Sequence, residues 1–318
     1  MATSQSLPPP LPAGGSHVNV HLLDGGSFVA DTIRLHSQVD NERVRLYNWA
    51  FLIRHPVSGR DILWDLGMSG EKKDYSTIVA EVFWPDLEMV GPRKTLRQQI
   101  KGCLSLDPDD IETVIFSHAH FDHCRPIAGE FPNAKALFGP GTWDYCAPGH
   151  FAEPSSQWDG RFFDPKRATE QSRELAGPWV PFGPFDEAMD FYGDGSFWII
   201  KAPGHMPGNL CAAARLRDGQ WIVLGSDCCH TREIYDGTYD FGVFILRDGA
   251  EASLHTDISA ARETIRRIKV MEREYGAHVA FAHDATWMIK GDDATLMSLL
   301  SDTIKEAARD RLPLGRVA

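Results

Sequence analysis

Residues 117–126, SHAHFDHCRP, decide the fold class of this chain. They place three histidines and one aspartate within six consecutive positions, His118 to His123, directly behind the apolar run TVIF at residues 113–116. Four such groups, buried without partners, would cost about 1–3 kcal/mol each. We therefore interpret the cluster as ligands for a metal ion, held where a buried strand ends.

Three later segments repeat this arrangement, in which an apolar strand runs directly into a histidine or an aspartate. They are FWIIKAPGH, which ends at His205, QWIVLGSD, which ends at Asp227, and AHVAFAHD, which contains His283. A zinc-like divalent ion takes imidazole and carboxylate ligands that converge from several loops. Because a rigid sheet positions the loops at its strand ends, the four segments predict one metal site above a sheet edge.

The composition indicates a large globular α/β protein. Of the 318 residues, 43% are hydrophobic and 24% are charged, which is enough for a sizeable buried core. The formal net charge of -12 disfavours a nucleic acid partner, since such binding draws on clustered lysine and arginine. Six cysteines without repeated spacing fit a reducing compartment, and we expect Cys228 and Cys229 to behave as small buried apolar residues.

The chain is predicted to form a flexible tail over residues 1–16 and a single domain over residues 17–318. The tail lacks the charged and apolar regions of a signal peptide, and no run of about 18 apolar residues predicts a membrane span. We therefore expect a cytoplasmic protein without a membrane partner. Apolar runs and turns predict strands over residues 17–66, and helical spacing predicts a helix through Leu96, Ile100 and Leu104 and another after Thr256.

Residues 143–192 interleave aromatic side chains with Pro and Gly and are predicted to form an insertion. Substrate pockets have mostly apolar walls with few polar anchors. We therefore predict that Trp143, Trp158 and Trp179 contact the substrate, together with Tyr235 from a later aromatic loop. The alternative is that these rings pack the insertion onto the domain or form the interface of a homodimer.

The motifs HAHFDH, APGHMPG, GSDCC and AHD resemble the metallo-β-lactamase fold superfamily, which shares an H-x-H-x-D-H motif followed by a later His, an Asp and a final His. The resemblance covers the chain from His17 onward. It implies an α/β fold, a four-layer αββα sandwich, with two divalent metal ions, for which Zn²⁺ is expected and Fe or Mn are alternatives. It assigns to the first ion His118, His120 and His205. The second ion would be held by Asp122, His123 and His283, and Asp227 would bind both ions. The resemblance also implies that Asp65 in LWDLG supports the ligands.

The segment APGHMPGN and the single final histidine are similar to N-acyl homoserine lactone lactonases and to fungal lactamase-like hydrolases. This similarity implies opening of a small cyclic substrate, such as a benzoxazolinone-type lactam or an acyl or aryl lactone, by a hydroxide that bridges the two ions. Asp122 would orient that nucleophile. The lactonases carry a tyrosine three residues after the bridging aspartate, where this chain has His230. The proton donor is therefore His230, or else Tyr235 or Tyr239 from the following loop.

Other functions share the H-x-H-x-D-H core. A glyoxalase II-like thioester hydrolase ranks second, because the chain has no basic cluster near its C-terminus to hold the carboxylates of glutathione. An RNA-processing enzyme conflicts with the acidic composition, and an oxygen-reducing diiron protein normally needs a flavin domain. Outside catalysis, the chain could be a metal-stabilised binding protein, although the full set of seven ligands argues against this.

The remaining histidines are expected to be ordinary packed or exposed side chains, because a lone histidine is more often such a residue than a ligand. They are His17, His21, His36, His55, His150, His255 and His278.

Overall fold

The computed structural model describes residues 10–12, 15–37, 39–104, 106–246, 249–301 and 304, which build two six-stranded sheets. In spatial order, the first sheet contains β1 (Asn19–Asp31), β2 (Arg43–Arg54), β3 (Asp61–Trp64), β4 (Thr113–Ile115), β5 (Lys135–Phe138) and β6 (Ser172–Glu174). The second contains β14 (His278–Phe281), β11 (Trp221–Ser226), β10 (Leu210–Arg215), β9 (Phe197–Lys201), β8 (Phe185–Asp190) and β7 (Val180–Phe182). A separate hairpin contains β12 (Phe244–Ile245) and β13 (Glu251–Ala252).

The helices connect these strands and cover the two sheets. They are α1 (Thr32–Leu35), α2 (Trp84–Asp86), α3 (Leu96–Leu104), α4 (Thr142–Cys146), α5 (Gly160–Phe163), α6 (Arg232–Asp236), α7 (Ile258–Tyr275), α8 (Thr286–Lys290) and α9 (Ala294–Met297). Shorter turns of other helix types span Lys72–Asp74, Val79–Phe83 and Pro108–Asp110. Within the described part of the chain, no helix has both the length and the apolar composition needed to cross a bilayer.

The strands bury both faces, and alternate residues belong to different apolar clusters. In β4, Ile115 faces the second sheet, whereas Val114 shares an outer cluster with α3 and α5. In β11, Ile222 faces the first sheet, and Val223 packs in the cluster beneath α7. The layers therefore follow the order helix, sheet, sheet, helix, and the predicted four-layer αββα sandwich is confirmed. Burial on both faces explains why these strands read as continuous apolar runs in the sequence.

The helices predicted at residues 96–104 and after Thr256 are present as α3 and α7. The carboxylate of Asp257 accepts a hydrogen bond from the backbone N–H of Ala260 at 2.9 Å and thereby caps the first turn of α7. Gly276 ends the same helix in the left-handed region, with φ of 66°.

Residues 143–192 are built into the sandwich on both sides. β6 pairs with β5 in the first sheet, whereas β7 pairs with β8, and β8 continues the second sheet through β9. Phe162 and Phe163 of α5 are fully buried in the outer cluster of the first sheet. The segment predicted as an insertion thus completes one edge of each sheet.

The described part of the predicted tail contacts the domain. Leu11 packs against the apolar cluster beneath α7, and the backbone oxygen of Ser16 accepts a hydrogen bond from Nη1 of Arg215 at 2.8 Å. Residues 1–9, 13 and 14 of that tail lie outside the described residues, as do residues 305–318 of the predicted domain.

Parallel strand pairs bring the predicted site residues to one region. β3 and β4 are parallel neighbours, so Asp65 directly after β3 lies beside the loop that starts at Phe116. β11 and β14 are parallel neighbours in the second sheet, and Asp227 and His283 follow them. The ligand-bearing loops therefore emerge from strand ends of both sheets.

We predict that Gly67→Ala destabilises the fold. Gly67 follows the turn at Asp65, has φ of +63°, and a Cβ there would lie 2.3 Å from Cα of Gly25. Overpacking combined with a strained φ should lower the free energy of unfolding by about 1–3 kcal/mol, measured by urea denaturation. The control is Gly70→Ala, whose Cβ would have no neighbour within 4 Å. Equal stability of the two variants would contradict the prediction.

Candidate metal centre

The structure brings all seven predicted ligands into two adjoining groups. The first group contains His118, His120 and His205. The second contains Asp122, His123, Asp227 and His283. Within each group, the potential ligand atoms all lie within 4.8 Å of one another. All of these side chains are buried except His120, which is half-buried.

The first group consists of imidazoles whose nitrogens face one another. Nε2 of His205 lies 2.8 Å from Nδ1 of His120 and 3.2 Å from Nε2 of His118. Burial lowers the pKa of His118 and His205 well below the usual range and lowers the pKa of His120 to about 4. These side chains are therefore neutral at physiological pH, which is the state in which imidazole binds a metal ion.

Asp227 reaches both groups. Its Oδ2 lies 3.2 Å from Nε2 of His283 in the second group, and 3.6 Å from Nε2 of His205 in the first. Its Oδ1 lies 3.2 Å from Nε2 of His123. Asp122 completes the second group, with Oδ2 at 3.5 Å from Nε2 of His123 and at 3.5 Å from Nε2 of His283.

The second group attracts positive charge. Burial would lower the pKa of His123, but Asp227 and Asp122 raise it well above the usual range. Burial would likewise lower the pKa of His283, and Asp227 raises it. Within the described residues, Nε2 of His123 and Oδ1 of Asp227 are buried without a hydrogen bond of acceptable geometry. Divalent cations would satisfy both atoms, so the residues present fit a dinuclear metal centre.

Asp65 contacts the predicted ligand His123 from the side of the first sheet. Its Oδ2 lies 2.9 Å from Nδ1 of His123 and accepts a hydrogen bond from Oγ of Ser117 at 2.7 Å. Its Oδ1 accepts a second bond from the backbone N–H of Ser117 at 2.7 Å. Asp65 has φ of 58° and Ser226, just before Asp227, has φ of 48°. The chain therefore leaves β3 and β11 through residues in the left-handed region. This conformation costs free energy, and the contacts of the site maintain it.

Two supporting residues on β2 were not predicted from the sequence. Nδ2 of Asn48 donates a hydrogen bond to the backbone oxygen of Asp122 at 2.5 Å and lies 3.2 Å from its Oδ2. The backbone oxygen of Tyr47 lies 2.9 Å from Nδ1 of His283. Both residues belong to the segment LYNWAF, which reads only as an apolar strand, so the sequence offered no signal for either role.

His255 was expected to be an ordinary packed or exposed side chain; it is buried, and it lies beside the predicted site. Its Nε2 lies 3.2 Å from Nδ1 of His230, and together with His205 these residues form a third group of potential ligands. The backbone N–H groups of Thr256 and Asp257 bind the carbonyl oxygens of His205 and Gly204, which docks this loop on the APGH segment. This contact between distant segments has no sequence pattern.

His230, predicted as a catalytic residue, lies next to the predicted metal ligands. Its Nε2 is 3.4 Å from Oδ2 of Asp227, and its ring stacks on His283 with an interplanar angle of 3°. A cavity of about 650 Å³ opens beside His230 and His283, and the stacked rings of His36 and Tyr239 form part of its wall.

Of the four aromatic residues predicted to contact substrate, Trp158 lies next to the predicted metal ligands. Its ring stacks on His120 at 5.3 Å and lines a second cavity of about 400 Å³, together with Phe83 and Tyr145. Phe28 and Phe121 extend this aromatic surface, and Phe28 contacts the ring of His283 at 5.4 Å. Neither phenylalanine was predicted from the sequence to lie at the site.

The other three aromatic residues predicted to contact substrate pack within the sandwich, and their contact with substrate stays a prediction. Tyr235 is buried beneath α7, where its hydroxyl donates to Glu272 at 2.9 Å. Trp143 packs against Phe163 in the outer cluster of the first sheet. Trp179 lies next to the edge strand β7 and packs against the central cluster. Their rings serve the core of the sandwich, the alternative that composition had left open.

Comparison with curated proteins gives remote relatives, and no protein-family model matches the chain. The cytochrome P450 monooxygenase mpaDE' of Penicillium brevicompactum is 28% identical over 309 residues, which cover 90% of this chain and 36% of that protein. The γ-lactamase FDB1 of Fusarium pseudograminearum is 29% identical over 72% of this chain and 57% of its own length. The N-acyl homoserine lactonase AttM of Agrobacterium fabrum is 28% identical over 76% of this chain and 80% of its own length. The chain thus spans about a third of the length of the cytochrome P450 relatives.

Solved structures share the fold at low identity. The B. thuringiensis AiiA mutant with N-decanoyl-L-homoserine at its active site has a TM-score of 0.62 and 16% identity, over 86% of this chain and 96% of its own. The dizinc quorum-quenching lactonase AidC, in complex with its product, has a TM-score of 0.54 and 15% identity, over 87% and 89%.

We predict that Asp65→Asn weakens metal binding without unfolding the protein. The amide keeps the shape of the carboxylate but removes the charge behind Nδ1 of His123, so the affinity for Zn²⁺ should fall by about 10- to 100-fold. Competition with a chromophoric chelator measures this affinity. Asp61→Asn is the control, because Asp61 at the start of β3 pairs with Arg54 at 3.2 Å, at the end of the strand remote from Asp65. Equal affinities in the two variants would refute the role of Asp65.

Proposed function

We propose that this chain, which shares the fold of metallo-β-lactamase-type lactonases, is a metal-dependent hydrolase of that superfamily that opens a small cyclic ester or amide. One observation carries the proposal: a group of three histidines and a group of two histidines and two aspartates meet at one place, and Asp227 reaches both. The similarity to a γ-lactamase and to a lactonase supports ring opening as the type of reaction.

The proposed cofactor is a pair of divalent ions, with Zn²⁺ favoured by the imidazole and carboxylate donor set and Fe or Mn as alternatives. His118, His120 and His205 would hold one ion, Asp122, His123 and His283 the other, and Asp227 both. When bound, such a pair supplies a hydroxide nucleophile near neutral pH and polarises a carbonyl group.

The surrounding residues orient the reaction. Asn48 holds Asp122, whose Oδ2 would direct the attacking oxygen. His230 occupies the place of the lactonase tyrosine, and its Nε2–H would donate a hydrogen bond to the carbonyl oxygen or the leaving atom. Two tyrosines were the alternative donors. Tyr235 has its hydroxyl bound to Glu272, and Tyr239 stacks on His36 in the wall of the larger cavity. Because Nε2 of His230 lies 3.4 Å from Oδ2 of Asp227, we propose His230 for this role.

We propose compact aromatic rings as the preferred substrates, such as benzoxazolinone-type lactams and aryl lactones. Trp158 stacks on His120, and Phe28 contacts both Phe121 and the ring of His283. Aromatic walls favour stacking with a flat substrate and exclude water from the reacting carbonyl.

We predict that His120→Ala and Asp227→Ala each lose metal and turnover together, because each removes a donor from the centre. Metal per chain is measured by elemental analysis, and turnover on a panel of aryl lactones, bicyclic lactams, acyl homoserine lactones and thioesters. We expect kcat/KM to fall by at least about 100- to 1000-fold. The chelated wild-type protein should be equally inactive and should recover with Zn²⁺.

A variant that keeps full activity without metal would rule out the mechanism. Turnover of thioesters alone would replace it with the glyoxalase II-like function, and metal-loaded protein inactive on the whole panel would indicate a binding protein.

We predict that Trp158→Ala raises KM for aryl lactones by about 10-fold, the loss of one stacking contact. Trp179→Ala is the matched control, since this tryptophan from the same segment packs on the central cluster away from the metal centre. Its KM should equal that of the wild type. Faster turnover of long-chain acyl lactones than of aromatic rings by the wild-type protein would reverse the proposed preference.

A further inference from the structure

His230 and His255 form a buried pair beside the seven proposed ligands. Nδ1 of His230 lies 3.2 Å from Nε2 of His255, and the rings meet edge to face at 5.0 Å. The two residues are 6% and 4% exposed, so water cannot readily replace this contact. Two neutral imidazoles at this distance share one proton, which belongs either to Nδ1 of His230 or to Nε2 of His255.

The other neighbours of the pair decide the direction of this hydrogen bond. Nε2 of His230 is 3.4 Å from Oδ2 of Asp227, a carboxylate that only accepts hydrogen bonds. The proton of a neutral His230 is therefore best placed on Nε2, which leaves Nδ1 as an acceptor. Nε2–H of His255 then donates to it.

The far side of His255 agrees with that direction. Nδ1 of His255 is buried and has no hydrogen-bond partner among the described residues. If Nε2–H of His255 donates to Nδ1 of His230, Nδ1 of His255 carries only a lone pair. In the opposite direction it would carry a buried N–H without an acceptor, which is the rarer and costlier arrangement.

Both rings are held in place. The loop of His255 is fixed by the hydrogen bond from the N–H of Thr256 to the carbonyl oxygen of His205 at 2.9 Å, and Phe241 packs on the His255 ring at 4.4 Å. His230 stacks on His283 and borders the cavity of about 650 Å³. A side chain at the position of His255 can therefore set which nitrogen His230 presents to that cavity.

We propose that His255 is a positioning residue, which donates from Nε2 to Nδ1 of His230 and thereby holds His230 in the tautomer that presents Nε2–H to the metal centre and the substrate. The catalytic consequence rests on the proposed function, whereas the hydrogen bond itself does not require a substrate.

The first test is the tautomer of His230 in the full-length, zinc-loaded protein. Histidine-selective ¹⁵N labelling with two-bond ¹H–¹⁵N correlation distinguishes a protonated ring nitrogen from a bare one, and the His230 signals are identified by their loss in His230→Gln. We expect Nε2 protonated and Nδ1 bare in the wild type. His255→Gln retains an N–H donor and should preserve this tautomer, whereas His255→Leu should shift His230 toward a mixture.

The second test separates positioning from folding. On the lactone that the wild type turns over best, His255→Leu should lower kcat by about 10- to 100-fold with KM within about twofold, and His255→Gln should restore most of the loss. If His255→Leu fails to fold, His255→Ala takes its place. The His230 tautomer and kcat of His255→Ala are then compared with those of His255→Gln to test whether the donor at residue 255 sets the tautomer.

Three results would overturn the proposal. A proton on Nδ1 of His230 in the wild type would reverse the direction of the bond, and a tautomer unaffected by loss of the His255 donor would remove its role. A fall from three metal ions per chain to two in His255→Leu would make His205, His230 and His255 the ligands of a third ion. Absence of hydrolysis together with a His255-dependent tautomer would overturn the proposed function and support the pairing.

Discussion

The buried carboxylate of Asp227 is the constraint on which the rest of the site depends. Its side chain is 3% exposed, and its two oxygens face imidazole nitrogens that arrive from both sheets. Positive charge has to meet this carboxylate, because an unpaired buried anion costs several kcal/mol in protein interiors. Asp65 stands behind His123 on the opposite side, so this imidazole lies between two anions. The neutral imidazoles of the first group, in contrast, carry no charge, and each offers one lone pair to an ion.

The sequence predicted the features that a single local segment encodes. A strand buried on both faces leaves a continuous apolar run, and the residue at its end is then easy to identify, as with His118 after β4 and Asp227 after β11. The helix after Thr256 is equally local, since helical spacing of its apolar residues suffices to place it. The order of the four layers came from the family resemblance, since the apolar runs and helices permit that order without requiring it.

Contacts between distant segments could not be predicted in this way. His255 and Asn48 contact the site because their segments pack beside it in the folded chain, and neither segment carries a pattern that names its neighbour. The aromatic residues could not be assigned to core or pocket for a different reason, since a ring suits a core as well as a pocket. Tyr235 packs under α7, and Trp179 packs beside an edge strand, whereas Trp158 from the same aromatic segment reaches His120.

The start of α7 links the metal centre to the stability of a helix. The N–H groups of Thr256 and Asp257 bind the loop of His205, and the side chain of Asp257 also caps the first helical turn. Fraying of that turn would therefore release one proposed ligand and the partner of His230 in the same event. Ion binding and helix formation are then thermodynamically coupled, so that each would be favoured by whatever strengthens the other.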